Sequence, residues 1–358
     1  MVPLAQVLRR HWAAYAQKYG PRLLPSHRRA VAAIVSCRTP ALGGQLFQCQ
    51  CGQQRYAYHS CNHRACPKCG HADATQWLNR QRQKLLPVPY YLVTFTVPAQ
   101  LRRTIRSHQK ILYPLLLQEC AAALRDVARS HKDLGAEIGL MAVLQTWTRD
   151  LRYHPHVHCV VPAGGLSADR LRWVSPKHQN YFLPQQVLAA RLRTRLKDVL
   201  QKHHPQLLSQ IPNLVWSLNW VADVQPVGTG EPALKYLSAY VYRTALSSER
   251  ILADDGHYIT FAYKDGRTGT TLTVRLTAER FLHRFLQHVL PSGFQRVRHF
   301  GFLSAAAKSQ WQRVCALLDW QVPALTPPGP APAPLCPRCN RPMTVLVCLP
   351  RSPPFWYP

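Results

Sequence analysis

The tightest constraint on this chain is the spacing of its cysteines. Cys66-Pro67-Lys68-Cys69-Gly70 sets two thiols two residues apart ahead of a glycine, and Cys37, the Cys49-Gln50-Cys51-Gly52 turn and Cys61 lie upstream. Two thiolates at that separation fit one tetrahedral Zn²⁺ in a tight turn, so the segment predicts a zinc knuckle. Four ligands are required. Cys49, Cys51, Cys66 and Cys69 are the expected set, with Cys61 and Cys37 as alternates and His59 and His63 within reach. The one-residue gap between Cys49 and Cys51 is tighter than usual. A second half-site, Cys336-Pro337-Arg338-Cys339, follows a stretch (322–334) in which six of thirteen residues are proline, which reads as a stiff linker. Cys348 is the candidate third ligand of a second zinc there. A secreted disulfide scaffold would carry a signal peptide, and the opening MVPLAQVLRRHWAAYAQKYG has neither an apolar core nor a small-residue cleavage site. Metal-binding thiols imply a cytosol-like compartment.

Charge narrows the partner. The 358 residues hold 45 Lys+Arg against 16 Asp+Glu, a formal charge of +29. Residues 1–118 contain seventeen bases and one acid, and 280–314 contain six bases and none. Fields of one sign attract polyanions, and nucleic acid is the usual one. With 47% hydrophobic residues the chain is too apolar for a disordered basic tail, and no run of eighteen apolar residues predicts a membrane span.

Periodicity predicts helices over 4–19, 74–86, 105–128 (with Pro114 expected to kink it or mark a boundary), 185–203, 235–246 and 278–289, and strands over 90–97, 139–147, 157–162 and 216–224. Residues 258–263 and 270–276 flank Asp265-Gly266-Arg267 as a hairpin. The pattern is α+β with a largely antiparallel sheet.

Two clusters carry chemistry. His154-Pro155-His156-Val157-His158 opens a strand, and alternation projects His156 and His158 from one face as half of a divalent-metal site. Tyr236 and Tyr240 share one face of a helix. A packed aromatic stripe is the ordinary meaning of such a pair; the alternative is attack on a phosphodiester, giving a covalent intermediate that conserves bond energy.

The Cys-rich module, the Tyr153-His154-Pro155-His156-Val157-His158 strand and Tyr236-Leu237 with Tyr240-Val241 come in this order. With them run His27-Arg28-Arg29-Ala30, Phe281-Leu282-His283-Arg284-Phe285-Leu286, His288-Val289-Leu290-Pro291 and Arg298-His299-Phe300-Gly301-Phe302-Leu303. Over nearly its whole length the chain resembles the rolling-circle transposases of the insertion-sequence 91 type, two-tyrosine members of the HUH single-strand endonuclease superfamily. The resemblance implies an RNA-recognition-motif-like nuclease sheet preceded by a zinc-binding domain. It implies Mg²⁺ or Mn²⁺ held by His156, His158 and one further polar ligand, for which Gln145 is the candidate and Asp150 the runner-up. It also implies attack by Tyr236 or Tyr240 on single-stranded DNA, leaving a 5′-phosphotyrosine and a free 3′-hydroxyl. Two departures stand out: the Cys49-Cys51 gap, which is more often two residues, and Tyr242, where phenylalanine is commoner. Tyr242 lies about 200° around the helix from Tyr240 and should face away.

The implied organisation is an N-terminal helix and zinc-binding domain (1–87), a nuclease domain with the tyrosine helix (88–250), a basic DNA-binding region (251–320), the proline-rich linker (321–335) and a Cys-x-x-Cys tail (336–358). Arg280, Arg284, Arg296 and Arg298 are the expected strand-binding residues, and Phe294, Phe300 and Phe302 either stack bases or fill the core. The finger region would grip duplex or hairpin ends. Expected partners are single-stranded DNA and hairpin ends of the chain's own mobile element, and target DNA, with no membrane and no small-molecule substrate, in the bacterial cytoplasm at the nucleoid. A plasmid or phage replication initiator would use the same chemistry. A non-catalytic zinc-dependent regulator would explain the charge and the knuckle but not the histidine strand beside paired tyrosines.

Overall fold

The computed structural model describes residues 1–130, 132–178, 181–242, 245–266, 268–324 and 333–352, with the side chains of 71–73 and 239–242 outside the description. Leu4, Val7, Leu8, Trp12 and Tyr15 recur at helical spacing and are the buried side of α1 (Leu4–Tyr19). Pro25 opens α2 (Pro25–Ser36), a helix the periodicity does not announce, at the position where a missing N–H costs nothing. The strands β1 (Gly44–Gln48) and β2 (Gln54–Tyr58) form a hairpin. Gly70, at φ +87°, turns the chain from the Cys66–Cys69 knuckle into α3 (His71–Arg82), a left-handed step that suits glycine.

Next come β3 (Tyr90–Thr96), α4 (Arg102–Ser107) and α5 (Gln109–Arg129). The kink or boundary expected at Pro114 falls instead at His108 (φ −120°, ψ 42°). A proline leaves the carbonyl four residues back, here that of Lys110, without its donor, and starting the helix afresh at Gln109 confines that loss to its first turn. The chain continues through β4 (Leu140–Trp147), β5 (Tyr153–Pro162), the short pair β6 (Gly165–Leu166) and β7 (Trp173–Val174), α6 (Gln185–His203), α7 (Pro205–Leu208) and β8 (Val221–Pro226). This last strand begins five residues later than the sequence suggests. Trp216 and Trp220 stack at 5.9 Å and the Trp220 indole donates to the Val215 carbonyl, which folds that segment into a turn. There follow α8 (Glu231–Tyr242), β9 (Ile251–Asp254), β10 (Tyr258–Lys264), β11 (Thr271–Thr277), α9 (Ala278–Leu286), β12 (Val297–Phe300), α10 (Lys308–Leu317) and β13 (Thr344–Leu349).

The fold is α+β with antiparallel sheets. From β3 to β8 the chain runs β-α-β-β-α-β with strand order β4-β5-β3-β8, the ferredoxin-like pattern, and β12 adds an outer strand beside β4. Alternation buries both faces of the sheet. Val157, Cys159 and Val161 join Leu112, Leu116, Leu124, Leu188 and Leu192 of α5 and α6 in the largest core. Met141, Val143 and Val160 meet Trp77 of α3 and Ala233, Leu234 and Leu237 of α8 on the opposite face. Arg195 of α6 locks onto α5, donating to Glu119 and Asp126 at 2.8 Å each.

Several contacts cross the boundaries expected at 87, 250 and 320, β12 beside β4 and α3 along α8 among them. The helices α1 and α2 share a core with the β9–β11 sheet and α9. At the other end of the chain, β13 pairs with β1, so the C-terminal segment is the third strand of the N-terminal sheet. Among the described residues no helix is long and apolar enough to cross a membrane.

His27, 5% exposed, ties α2 to α4 by accepting from the Arg106 guanidinium at 3.2 Å. Burial first, then the Arg106 charge, lowers its pKa to about 4, against about 6.5 in an unfolded chain. The unfolded state therefore binds the extra proton, and this contribution, complete above about pH 6.5, is lost as the pH falls through 4. Acidification from pH 7 to 5 should cost on the order of 1–2 kcal/mol through this histidine. Thermal melts of wild type and His27→Gln across that range should show a shallower pH slope in the variant.

Candidate active site

The register of β4 on β5 sets Gln145 directly opposite His156, and that of β3 on β5 sets Thr94 opposite His158. His156 and His158, 9% and 6% exposed, project from the face of the sheet that α8 covers, with ring centroids 4.8 Å apart. His156 Nδ1 lies 2.7 Å from the His154 carbonyl. A carbonyl only accepts, so Nδ1 carries the proton and Nε2 presents a lone pair. The Gln145 amide donates to the Trp147 carbonyl at 3.1 Å, which turns its Oε1 toward His158 Nε2 at 3.2 Å. Thr94 Oγ1 holds the other ring nitrogen at 2.9 Å.

This donor set fits a hard divalent cation. Adjacent ligands of an octahedral ion at ~2.1 Å stand about 3 Å apart, close to the Gln145–His158 separation, and each first ligand is oriented from behind by a hydrogen bond. Burial lowers the pKa of His156 and takes that of His158 down to about 3, so both rings are neutral, the form that ligates.

The runner-up, Asp150, is engaged elsewhere: it accepts from Thr148 Oγ1 and pairs with Arg152 at 2.6 Å. It lines the same open cavity of about 360 Å³ as Gln145, His154, His156 and Tyr236. Tyr236, 40% exposed on α8, stands perpendicular to the His158 ring with centroids 6.0 Å apart. Tyr240 lies on the same helix, but its side chain and that of Tyr242 fall outside the described residues.

Sequence reasoning missed four contributors. His154 has the parity of His156 and His158, and alternation alone would have included it. Thr94 depends on a strand register that no local pattern specifies. Tyr263 and Asp265 reach the cavity from the β10–β11 hairpin, more than a hundred residues away in the chain.

The arginines divide. Arg280 is exposed on α9, whereas Arg284 donates to the Asp150 carbonyl at 3.1 Å and Arg298 is half-buried in β12. Arg296 is buried with its guanidinium over the Trp147 ring at 5.3 Å, so it is not the exposed strand contact the sequence suggests. Phe302 is buried, and Phe294 and Phe300 pack on the main core.

The cysteines also divide, and here the expected ligand set is corrected. Cys37, Cys61, Cys66 and Cys69 form one group, Cys49, Cys51, Cys336 and Cys339 another, each with its sulfurs within 4.8 Å. The cause is the hairpin. Cys49 and Cys51 sit at its tip, while Cys37 and Cys61 flank its base, and five paired residues hold tip and base roughly 14 Å apart. Cys348, exposed on β13 opposite Gln45, belongs to neither group. In the first group the sulfurs of Cys37 and Cys61 lie 3.5 and 3.6 Å from that of Cys69, near the ~3.8 Å edge of a tetrahedron with Zn–S bonds of ~2.3 Å. Thiol hydrogen bonds, Cys61 foremost, hold Cys66 down to about 5, so this group already favours a thiolate.

A cysteine-clustered module joined to an α+β core with a histidine strand is the plan of a zinc-binding transposase, and the comparisons with known proteins agree. A family model described as "Transposase zinc-binding domain" matches residues 7–97, and one described as "Putative transposase" matches 139–310. The chain is 36% identical over 341 residues to "Putative transposase y4qJ" of Sinorhizobium fredii, covering 90% of this chain and 85% of that one. It is 26% identical over 337 residues to the "Transposase for insertion sequence element IS801" of Pseudomonas savastanoi pv. phaseolicola, covering 88% and 79%. No solved structure matches. The chain belongs to the IS91-type transposase family, with an N-terminal zinc-binding domain.

Because Cys37 and Cys66 sit in the core that α1, α2 and α9 share, losing this zinc should destabilise more than the knuckle. Cys66→Ser should lower the metal content by one zinc per chain and cost roughly 3 kcal/mol or more, checked by metal analysis and denaturant melts.

Proposed function

We propose that the protein nicks and rejoins single-stranded DNA at the ends of its own mobile element, as the strand-transfer enzyme of rolling-circle-type transposition. The observation that supports this most directly is Tyr236 standing over His158 in the cavity that Gln145 and His156 also line. In this reading Gln145, His156 and His158 hold Mg²⁺ or Mn²⁺, which when bound polarises phosphoryl oxygens and stabilises the charge that develops on them. The Tyr236 oxygen forms a bond to the scissile phosphorus and the bond to the 3′ oxygen breaks. The phenolic proton passes to the departing 3′ oxygen, which leaves as a free hydroxyl, and the 5′ end is left as a phosphotyrosine. Phosphodiester energy is kept in that linkage, so a 3′-hydroxyl can reverse the step and join a new strand, including target DNA. Residue 240, one helical turn on, is the second nucleophile.

Arg149 and Arg152 on the cavity rim attract the backbone, and Arg280 and the basic N-terminal region extend the cationic surface toward flanking or hairpin DNA.

With Mn²⁺ and a single-stranded oligonucleotide carrying the element end, wild type should form a denaturant-resistant adduct. Tyr236→Phe should lower its yield roughly 1,000-fold or more, or halve it where Tyr240 substitutes, and the double phenylalanine variant should give none. His156→Ala should abolish Mn²⁺ stimulation while the fold, followed by circular dichroism, persists. An undiminished adduct in the double variant would show the tyrosine assignment to be wrong. No adduct on any end sequence would favour a non-catalytic DNA-binding regulator.

A further inference from the structure

The second cysteine group joins parts of the chain that no single domain would unite. We infer that Cys49, Cys51, Cys336 and Cys339 hold a second structural Zn²⁺, a clasp that fastens the C-terminal segment to the tip of the β1–β2 hairpin. The sulfur of Cys339 lies 3.4 Å from that of Cys49, 290 residues away, and the sulfur of Cys51 lies 3.6 Å from those of Cys336 and Cys339. These separations are far beyond a disulfide bond of ~2.05 Å and close to the ~3.8 Å between thiolates sharing one tetrahedral Zn²⁺. A four-thiolate set selects Zn²⁺ over hard cations.

The two half-sites are built alike. The Cys49 N–H donates to the Gln53 carbonyl and the Cys336 N–H to the Arg341 carbonyl, both at 2.9 Å. Each pair thus sits in its own closed turn, and each turn supplies two ligands. Neither half is complete: the zinc-binding family match ends at residue 97 and so contains only the first pair. The exposed Cys348 offers the tail no third ligand.

Packing does not supply the hold. The core under this junction consists of Phe47, Cys49, Cys336 and Met343, and Val345, Leu346 and Val347 of β13 remain 46–51% exposed. Among the described residues, one short strand pairing, the Thr344 hydroxyl donating to the Gln48 carbonyl and that four-residue core hold the segment after the proline-rich stretch. A metal bound by all four thiolates changes that, because its affinity counts directly toward docking the tail. The N-terminal module is then closed by the far end of the chain.

The test is made on the intact protein. Wild type should contain two zinc ions per chain. Cys49→Ser, Cys339→Ser and the double variant should each contain one, while Cys348→Ser keeps two. In wild type under stepwise chelation, mass-resolved alkylation should label Cys49, Cys51, Cys336 and Cys339 together, in a step separate from Cys37, Cys61, Cys66 and Cys69. That measurement requires no variant to fold. In Cys339→Ser, Cys49 should alkylate roughly ten-fold faster or more while Cys66 stays protected. One zinc in wild type, loss of a zinc from Cys348→Ser, or labelling of Cys49 and Cys336 in separate steps would overturn the clasp.

Discussion

Everything at the candidate site depends on the register between β4 and β5. Pairing Gln145 with His156, with an irregularity before Trp147, puts one amide and two imidazoles on a single face. Side chains alternate with a period of two, so a one-residue slip would turn Gln145 into the core beneath α5 and leave the histidines opposite apolar neighbours. The register is secured from both sides. Leu144 and Val157 are buried against α5 and α6, while Val143 and Val160 are buried beneath α3 and α8. The burial that fixes the register also desolvates the histidines and keeps them neutral. One physical cause therefore positions the donors and sets their protonation.

The zinc-binding module positions the tyrosine helix through α3. That helix begins directly after the Cys69-Gly70 turn, packs along α8, and ends with Arg82 holding the Glu231 carboxylate at the first residue of α8. Lys235 joins the same carboxylate at 3.4 Å. The Cys66–Cys69 knuckle is thus linked, through one helix and one bidentate ion pair, to the element carrying Tyr236. The pair is partly exposed, so its value lies in geometry more than in energy.

Much of this is legible in the sequence. The α+β class, the strand with paired histidines, the helix of paired tyrosines and the knuckle all follow from local spacing, whereas Gln145 is singled out on the neighbouring strand only once the resemblance calls for a further polar ligand. What could not be read was long-range pairing. Cys336 and Cys339 join a turn at the other end of the chain, and β12 reaches its place beside β4 across the separation between Val143 and Val297. Linear proximity suggested joining Cys49 and Cys51 to Cys66 and Cys69, and the hairpin's length forbids it. Arg296 reads as a surface clamp because burial of a guanidinium against an indole leaves no trace in composition.

The charge gains a structural meaning from where the acids went. Asp254 binds Arg10 and His11 of α1, Glu279 of α9 binds Lys18 of α1, Glu231 binds Arg82, and Glu119 and Asp126 share Arg195. Each of these carboxylates joins two elements distant in sequence, so these acids serve as struts between elements. With 16 acids against 45 bases, the bases outnumber the carboxylates by 29. That surplus raises self-repulsion in the compact state, and a polyanion lying along the surface relieves it. DNA is thus both the partner that the family implies and the counter-charge that this fold lacks within itself.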